Sequence, residues 1–195
     1  MVTGITSGKT LKLLLICQFL NDFNFRASFL VQYSFYKNIA FCTGQFFFMF
    51  FSNYSGNTLY ESYFLVMYNS LYTSVPVMVH AILEQNIPSE KLISKPSLYK
   101  NNRNNSLMSH NYLIKWTGLG LWHSMTTFFV FYFLFNTSQT DWLSLQTAVA
   151  QAVTVVVNVK LLLESKHWNL PLILSIVLSI LCFTLLTVVT QVLLL

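Results

Sequence analysis

Residues 168–195 contain no Asp, Glu, Lys or Arg, and such a run is long enough to cross a lipid bilayer as one helix. A spanning helix needs about 20 mostly apolar residues. Four more stretches meet that length, at about 27–51, 63–83, 112–135 and 142–163. Hydrophobic residues make up 54% of the chain and charged residues 9%, against about a quarter charged in a soluble domain. So few charges cannot coat a globular fold in water. The 18 Phe and 10 Tyr suit a bilayer, where aromatic rings gather at both interfaces. Stretches such as 39–51 also have strand character, but an open sheet edge cannot be satisfied in lipid. The expected fold is all-α, a polytopic transmembrane helix bundle of about five spans.

The net charge of +5 does not imply nucleic acid, because the basic residues are spread thinly between apolar runs and form no dense patch. Cys17, Cys42 and Cys182 sit in or beside apolar segments without metal-ligand spacing and read as small hydrophobes. An apolar run follows Lys9 and Lys12, yet no small-residue cleavage pattern comes after it, so the start is not a clean signal peptide.

Basic residues alternate between loops. Lys9, Lys12 and Arg26 precede the first span, and Lys91, Lys95, Lys100, Arg103 and Lys115 lie between the second and third. Lys160 and Lys166 flank the turn between the fourth and fifth, whereas 52–62 and 136–141 contain no Lys or Arg. By the positive-inside rule, residues 1–26 and the loop 84–111 are expected on the cytoplasmic side and the C-terminus on the other. Pro88, Pro96 and the Asn-rich run 101–105 mark that loop as irregular.

The first chemical anomaly is Lys37. Eleven residues beyond Arg26, it is expected about 16 Å further along a helix, near the bilayer midplane. An ammonium there is costly unless paired or solvated. Asn38 adjoins it, and Ser34, Asn38 and Gln45 fall close to one helical face. In the second span Asn69, Thr73, Pro76 and His80 follow helical spacing. Pro76 removes a backbone donor and frees a carbonyl one turn earlier, which suggests a break there. Two readings of these stripes stay open: a hydrophilic groove, or ordinary hydrogen bonding between helices.

Gln151, Thr154 and Asn158 read as packing glue in the fourth span, and His123 and His167 as packed or interfacial. Gly4 to Thr10 (GITSGKT) is one residue short of a phosphate-binding loop, and no strand precedes it. Asn53 and Asn136 open N-x-S sequons very close to the expected membrane.

Several runs resemble the type-IV P-type ATPases, the phospholipid flippases. Phe35-Tyr36-Lys37-Asn38, Gln45-Phe46 and Phe51 to Tyr60 (FSNYSGNTLY) are similar to the fifth family helix and the short stretch after it. Tyr68-Asn69 and Thr73-Ser74-Val75-Pro76 look like the sixth helix. Leu83-Glu84-Gln85 and Lys95 to Tyr99 (KPSLY) look like the following loop, as in the animal plasma- and endosomal-membrane subclass. Trp116 with His123-Ser124 resembles the seventh helix, and Lys160 to Trp168 (KLLLESKHW) the turn between the eighth and ninth. The similarity covers roughly Arg26 to Trp168 and, more loosely, the last helix.

The resemblance implies family helices five to nine and a membrane domain that moves aminophospholipids, phosphatidylserine or phosphatidylethanolamine, from the outer to the cytoplasmic leaflet. It implies ATP and Mg²⁺ for the complete family protein and no cofactor in this chain. A two-span glycoprotein beta subunit is the implied partner. Plasma membrane, endosome, Golgi or endoplasmic reticulum are the implied locations. Lys37 and Asn38 match the pair the family uses near the headgroup path, with Asn69, Thr73 and Pro76 on the neighbouring wall. The phosphorylated Asp-Lys-Thr-Gly-Thr motif, the dephosphorylation loop and the Gly-Asp-Gly motif do not occur. Four helices before this segment and one after it are also expected to be lacking. Gly44 stands where many members have proline, which predicts a straighter helix there. The alternative is a catalytically inactive stand-alone membrane protein that binds lipid or a beta subunit.

Overall fold

A computed structural model describes residues 8–84, 109–136, 142–166 and 168–194. Most of the basic loop with Pro88, Pro96 and the KPSLY run, the first residues of the GITSGKT stretch, His167 and nearly all of the 136–141 loop lie outside the described residues. So do the side chains of Lys9, Lys12, Cys17 and Asn136.

Most of the described residues are helical, with no strand among them. Helix α1 spans Gly8–Phe51, α2 Ser62–Met67 and α3 Ser74–Leu83, with a π-helical segment at Tyr68–Tyr72 between α2 and α3. Helix α4 spans His110–Asn136, α5 Trp142–Glu164 and α6 Leu170–Leu194. Three of these, α4, α5 and α6, are long and apolar enough to cross a membrane by length and composition. Helix α1 carries Arg26, Lys37 and further polar side chains, and the second expected span is divided into short pieces. Both departures fall in the segments that hold the candidate site.

Helix α1 is 44 residues long, about 66 Å at the α-helical rise and well over one bilayer core. It begins far ahead of the expected span because no glycine or proline interrupts residues 9–43. It continues without interruption past Gly44. It ends where Asn53 and Tyr54 take positive φ angles of 51° and 57°, with the Tyr54 amide donating to the Met49 carbonyl at 3.1 Å. That six-residue closure is a Schellman-type stop. Helix α4 starts after Ser109, whose carbonyl accepts the Tyr112 amide at 3.0 Å. Helix α6 starts after Asn169 with Pro171 in its first turn, where proline loses no helical bond.

The core is strongly aromatic. Tyr33, Tyr36, Phe48, Tyr68, Tyr72 and Phe128 are all fully enclosed. Buried phenols need partners, and most find them across helices. Tyr33 donates to the Val157 carbonyl at 3.1 Å, and Tyr68 to the Lys37 carbonyl at 3.0 Å. Tyr36 shares a 2.6 Å hydrogen bond with His123 Nδ1. These bonds tie α1 to α4, α5 and the π segment. Helices α1 and α4 come close at Gly120, where a Cβ would stand 3.1 Å from the Tyr36 carbonyl oxygen. Small residues at such crossings let two backbones meet. Gly44 answers to a different neighbour: its Cβ would lie 2.7 Å from the Tyr60 hydroxyl, which itself donates to the Phe41 carbonyl at 3.3 Å.

Candidate functional site: a buried lysine beside a broken helix

Two successive requirements shape this site. The chain turns back after α1 through residues 52–61, held by the Gln45 side chain, which accepts the Leu59 amide at 2.7 Å. Gln146 of α5 donates to the Thr58 carbonyl at 2.8 Å from the other side. The returning rod then packs along α1, and its backbone changes pitch at Tyr68–Tyr72. There the Thr73 amide reaches back five residues to the Tyr68 carbonyl at 3.2 Å. π-turns of this kind occur at functional sites.

The extra residue in that turn corrects the expected face. Thr73, Pro76 and His80 are buried, but Asn69 is exposed, because a wider turn rotates the residues before it away from the 3.6-residue stripe. The break also differs in position from the one expected at proline. Pro76 lies in the first turn of α3, just beyond the π segment, where the missing donor costs no intrahelical bond. It still leaves the Tyr72 carbonyl without the amide that a regular helix would have supplied. Helices α5 and α6 supply the partners. Asn158 Nδ2 donates to the Tyr72 oxygen at 3.3 Å and to Ser179 Oγ at 3.2 Å, and the Ser179 hydroxyl donates to the same carbonyl.

Lys37 faces this break. Its side chain is 8% exposed, and its Nζ donates to Thr73 Oγ1 at 2.9 Å. Thr73 passes the contact on, its own hydroxyl donating to the Tyr68 carbonyl at 2.8 Å. Tyr68 closes the circuit with its bond to the Lys37 carbonyl. Lys37, Thr73 and Tyr68 therefore fix one another in a loop of three hydrogen bonds. Among the described residues, no carboxylate pairs with Lys37; Glu164 pairs with Lys160 at 2.8 Å, and Glu84 lies 3.9 Å from the His80 ring. An ammonium has three donors, and Thr73 takes one.

Of the five sequence candidates, the structure brings Lys37 and Thr73 into direct contact and places Pro76 in the turn just after them. Asn38 is exposed, since neighbours on a helix point about 100° apart and Lys37 holds the inward direction. Asn69 carries its amide at the surface while its carbonyl accepts the Ser74 hydroxyl. Tyr68 and Ser179 belong to the site but were not among the candidates. Pro76 signals that some donor is needed for the carbonyl four residues earlier, but nothing in the sequence points to Ser179 as that donor. Asn158 joins helices, which is the gluing role its sequence pattern suggests.

The basic end of the bundle is built separately. Arg26 caps α3, its Nη1 donating to the Ala81 and Ile82 carbonyls at 2.9 and 3.0 Å. Buried Glu84 accepts the Lys166 amide at 2.8 Å, which joins the end of α3 to the turn between α5 and α6. Lys166 also lies over the Phe25 ring and Lys160 over Trp116, at 5.2 and 5.0 Å.

Comparison with known proteins sets this geometry in a family. Residues 12–194 match the family described as the phospholipid-translocating P-type ATPase C-terminal region. Over 152 residues the chain is 36% identical to "Phospholipid-transporting ATPase IH" of Mus musculus and of Homo sapiens, which covers 74% of this chain and 13% of each relative. Over the same length it is 34% identical to "Phospholipid-transporting ATPase IG" of Homo sapiens. The chain thus spans about 13% of the length of these relatives. With nearly the whole sequence matched, the chain belongs to the C-terminal membrane region of the phospholipid-translocating P-type ATPases.

Proposed function

We propose that this chain carries part of the lipid path of an ATP-driven flippase, and that Lys37 meets the anionic part of a phospholipid headgroup. The observation that carries the reading is a buried ammonium with a neutral hydroxyl as its partner and, among the described residues, no carboxylate paired with it. Such a cation has donors to spare and lacks charge compensation. An anionic phosphate or carboxylate supplies both, through short charge-assisted bonds that are strong in low dielectric. Asn38 and Asn69 present amides at the surface of otherwise apolar helices. Uncovered amides are expensive against hydrocarbon, and a polar headgroup passing along that surface relieves the cost. The acyl chains stay in lipid.

The substrate class is aminophospholipid, phosphatidylserine or phosphatidylethanolamine, moved from the outer to the cytoplasmic leaflet. The cytoplasmic side is the end where Arg26, Lys160 and Lys166 gather, in keeping with the positive-inside rule. On that assignment residues 1–26 and 84–111 are cytoplasmic, and residues 27–195 form the flippase membrane domain. ATP and Mg²⁺ act elsewhere in the transporter. Among the described residues no group of three His, Cys, Asp or Glu side chains is placed to hold a metal. The partner is a two-span beta subunit, in an endosomal, secretory or plasma membrane.

The test is lipid binding by the full chain in nanodiscs, with spin-labelled phosphatidylserine as the probe. Lys37→Ala abolishes the specific signal on this reading, and Lys37→Arg keeps part of it. Equal binding by wild type and Lys37→Ala defeats the proposal.

A further inference from the structure

We infer that Asn158 and Ser179 are positioning residues for the headgroup site: by gripping the Tyr72 carbonyl from α5 and α6, they set the direction in which Thr73 meets Lys37. The inference rests on the lipid-path reading of Lys37. Its own support is independent of any lipid. Pro76 cannot bond the Tyr72 oxygen, and a carbonyl left bare in a low-dielectric interior carries a desolvation penalty. Asn158 is fully buried and Ser179 nearly so. Both aim donors at that one oxygen, and they bond each other. Thr73 is the next residue along the chain. Its position is therefore fixed on one side by α5 and α6 through Tyr72, and on the other by Lys37 at 2.9 Å.

Packing glue placed anywhere along two helices would stabilise the bundle equally well. This pair sits instead on the single carbonyl that adjoins the lysine's partner. Moving that carbonyl moves Thr73 Oγ1, and a hydrogen bond loses strength steeply as its angle falls below about 120°. The grip thus transmits the placement of α5 and α6 to the ammonium. A shift of these helices relative to α1 loosens or tightens Lys37 without either residue touching the headgroup.

The test uses the full chain in nanodiscs with two readouts: deuterium exchange of the amides at 68–73, which needs no ligand, and affinity for spin-labelled phosphatidylserine. Ser179→Ala and Asn158→Leu should speed the exchange and weaken lipid affinity about three- to tenfold, the range of one or two lost hydrogen bonds. Ser179→Thr, which keeps the hydroxyl, should behave as wild type. In a Thr73→Val background Ser179→Ala should have no further effect on affinity, because the link it acts through is gone. Ser179→Ala removes a single oxygen and carries the test if Asn158→Leu fails to fold. Unchanged exchange in Ser179→Ala overturns the inference, as does an affinity loss of the same size with or without Thr73. If Lys37→Ala loses lipid affinity while Ser179→Ala keeps both affinity and slow exchange, the inference alone falls. If Lys37→Ala binds lipid as wild type does, the lipid reading falls and the inference with it.

Discussion

Lys37 Nζ and Thr73 Oγ1 meet at 2.9 Å across the gap between α1 and the broken helix, and both residues are buried. The contact joins a side chain whose burial is costly to a backbone that has given up regular helix at the same level. Each irregularity accounts for part of the other. The π segment lets Thr73 turn inward, and Thr73 gives the ammonium an acceptor where hydrocarbon offers none.

Because no carboxylate among the described residues pairs with the ammonium, replacing it with an apolar side chain should not unfold the bundle. Buried charges are often neutral or stabilising to remove when the replacement packs well. Lys37→Met is expected to leave thermal stability in detergent unchanged or raised, while lipid affinity collapses. A marked fall in melting temperature would mean that Lys37 serves the fold.

Thr73→Val keeps shape and removes both the acceptor for Lys37 and the donor to the Tyr68 carbonyl. The loss should be about 1–3 kcal/mol of stability, from a buried ammonium left unsatisfied, with weaker lipid binding. Denaturation monitored by tryptophan fluorescence checks the first. Thr73→Ser, which retains the hydroxyl, should recover most of both.

Pro76→Ala restores an amide that competes with Asn158 and Ser179 for the Tyr72 carbonyl. The expected result is slower deuterium exchange of the amides at 68–73 as the π segment is drawn toward regular α-helix, with Thr73 turned from Lys37 and lipid affinity reduced. Unaltered exchange and affinity would show that the proline does not set the local geometry.

Gly120 and Gly118 form a matched pair on α4. A Cβ at 120 would press on the Tyr36 carbonyl at 3.1 Å, whereas a Cβ at 118 meets nothing within 4 Å. Gly120→Ala should destabilise by about 1–3 kcal/mol through overpacking. Gly118→Ala should be neutral or stabilising by up to about 1 kcal/mol from helix propensity. Thermal denaturation of the two variants side by side decides it.

The apolar helices were legible because α4, α5 and α6 depend on one variable, the length of uncharged sequence, and Trp142 and Glu164 bound α5 close to where hydropathy changes. Lys37 and Thr73 were legible as a charge and a hydroxyl out of place in apolar surroundings. Their contact was not, because it depends on how α1 crosses a neighbouring rod. At 3.6 residues per turn Asn69 shares a face with Thr73, Pro76 and His80, and a single π turn is enough to separate it from them. Pro76 announced a freed carbonyl, but the sequence between 72 and 179 gives no direct sign that Ser179 answers it. Gly44 posed the reverse case: the residue type was visibly unusual, while its cause, the Tyr60 hydroxyl, lies across the turn.

The most direct measurement is dipolar recoupling between lysine ¹⁵Nζ and lipid ³¹P in the full chain reconstituted with phosphatidylserine. The account predicts a coupling from an Nζ to phosphorus distance of about 4 Å, the spacing of a charge-assisted bond to a phosphate oxygen, and its disappearance in Lys37→Ala. A coupling that survives Lys37→Ala, or a bound lipid whose phosphorus shows none, would contradict it.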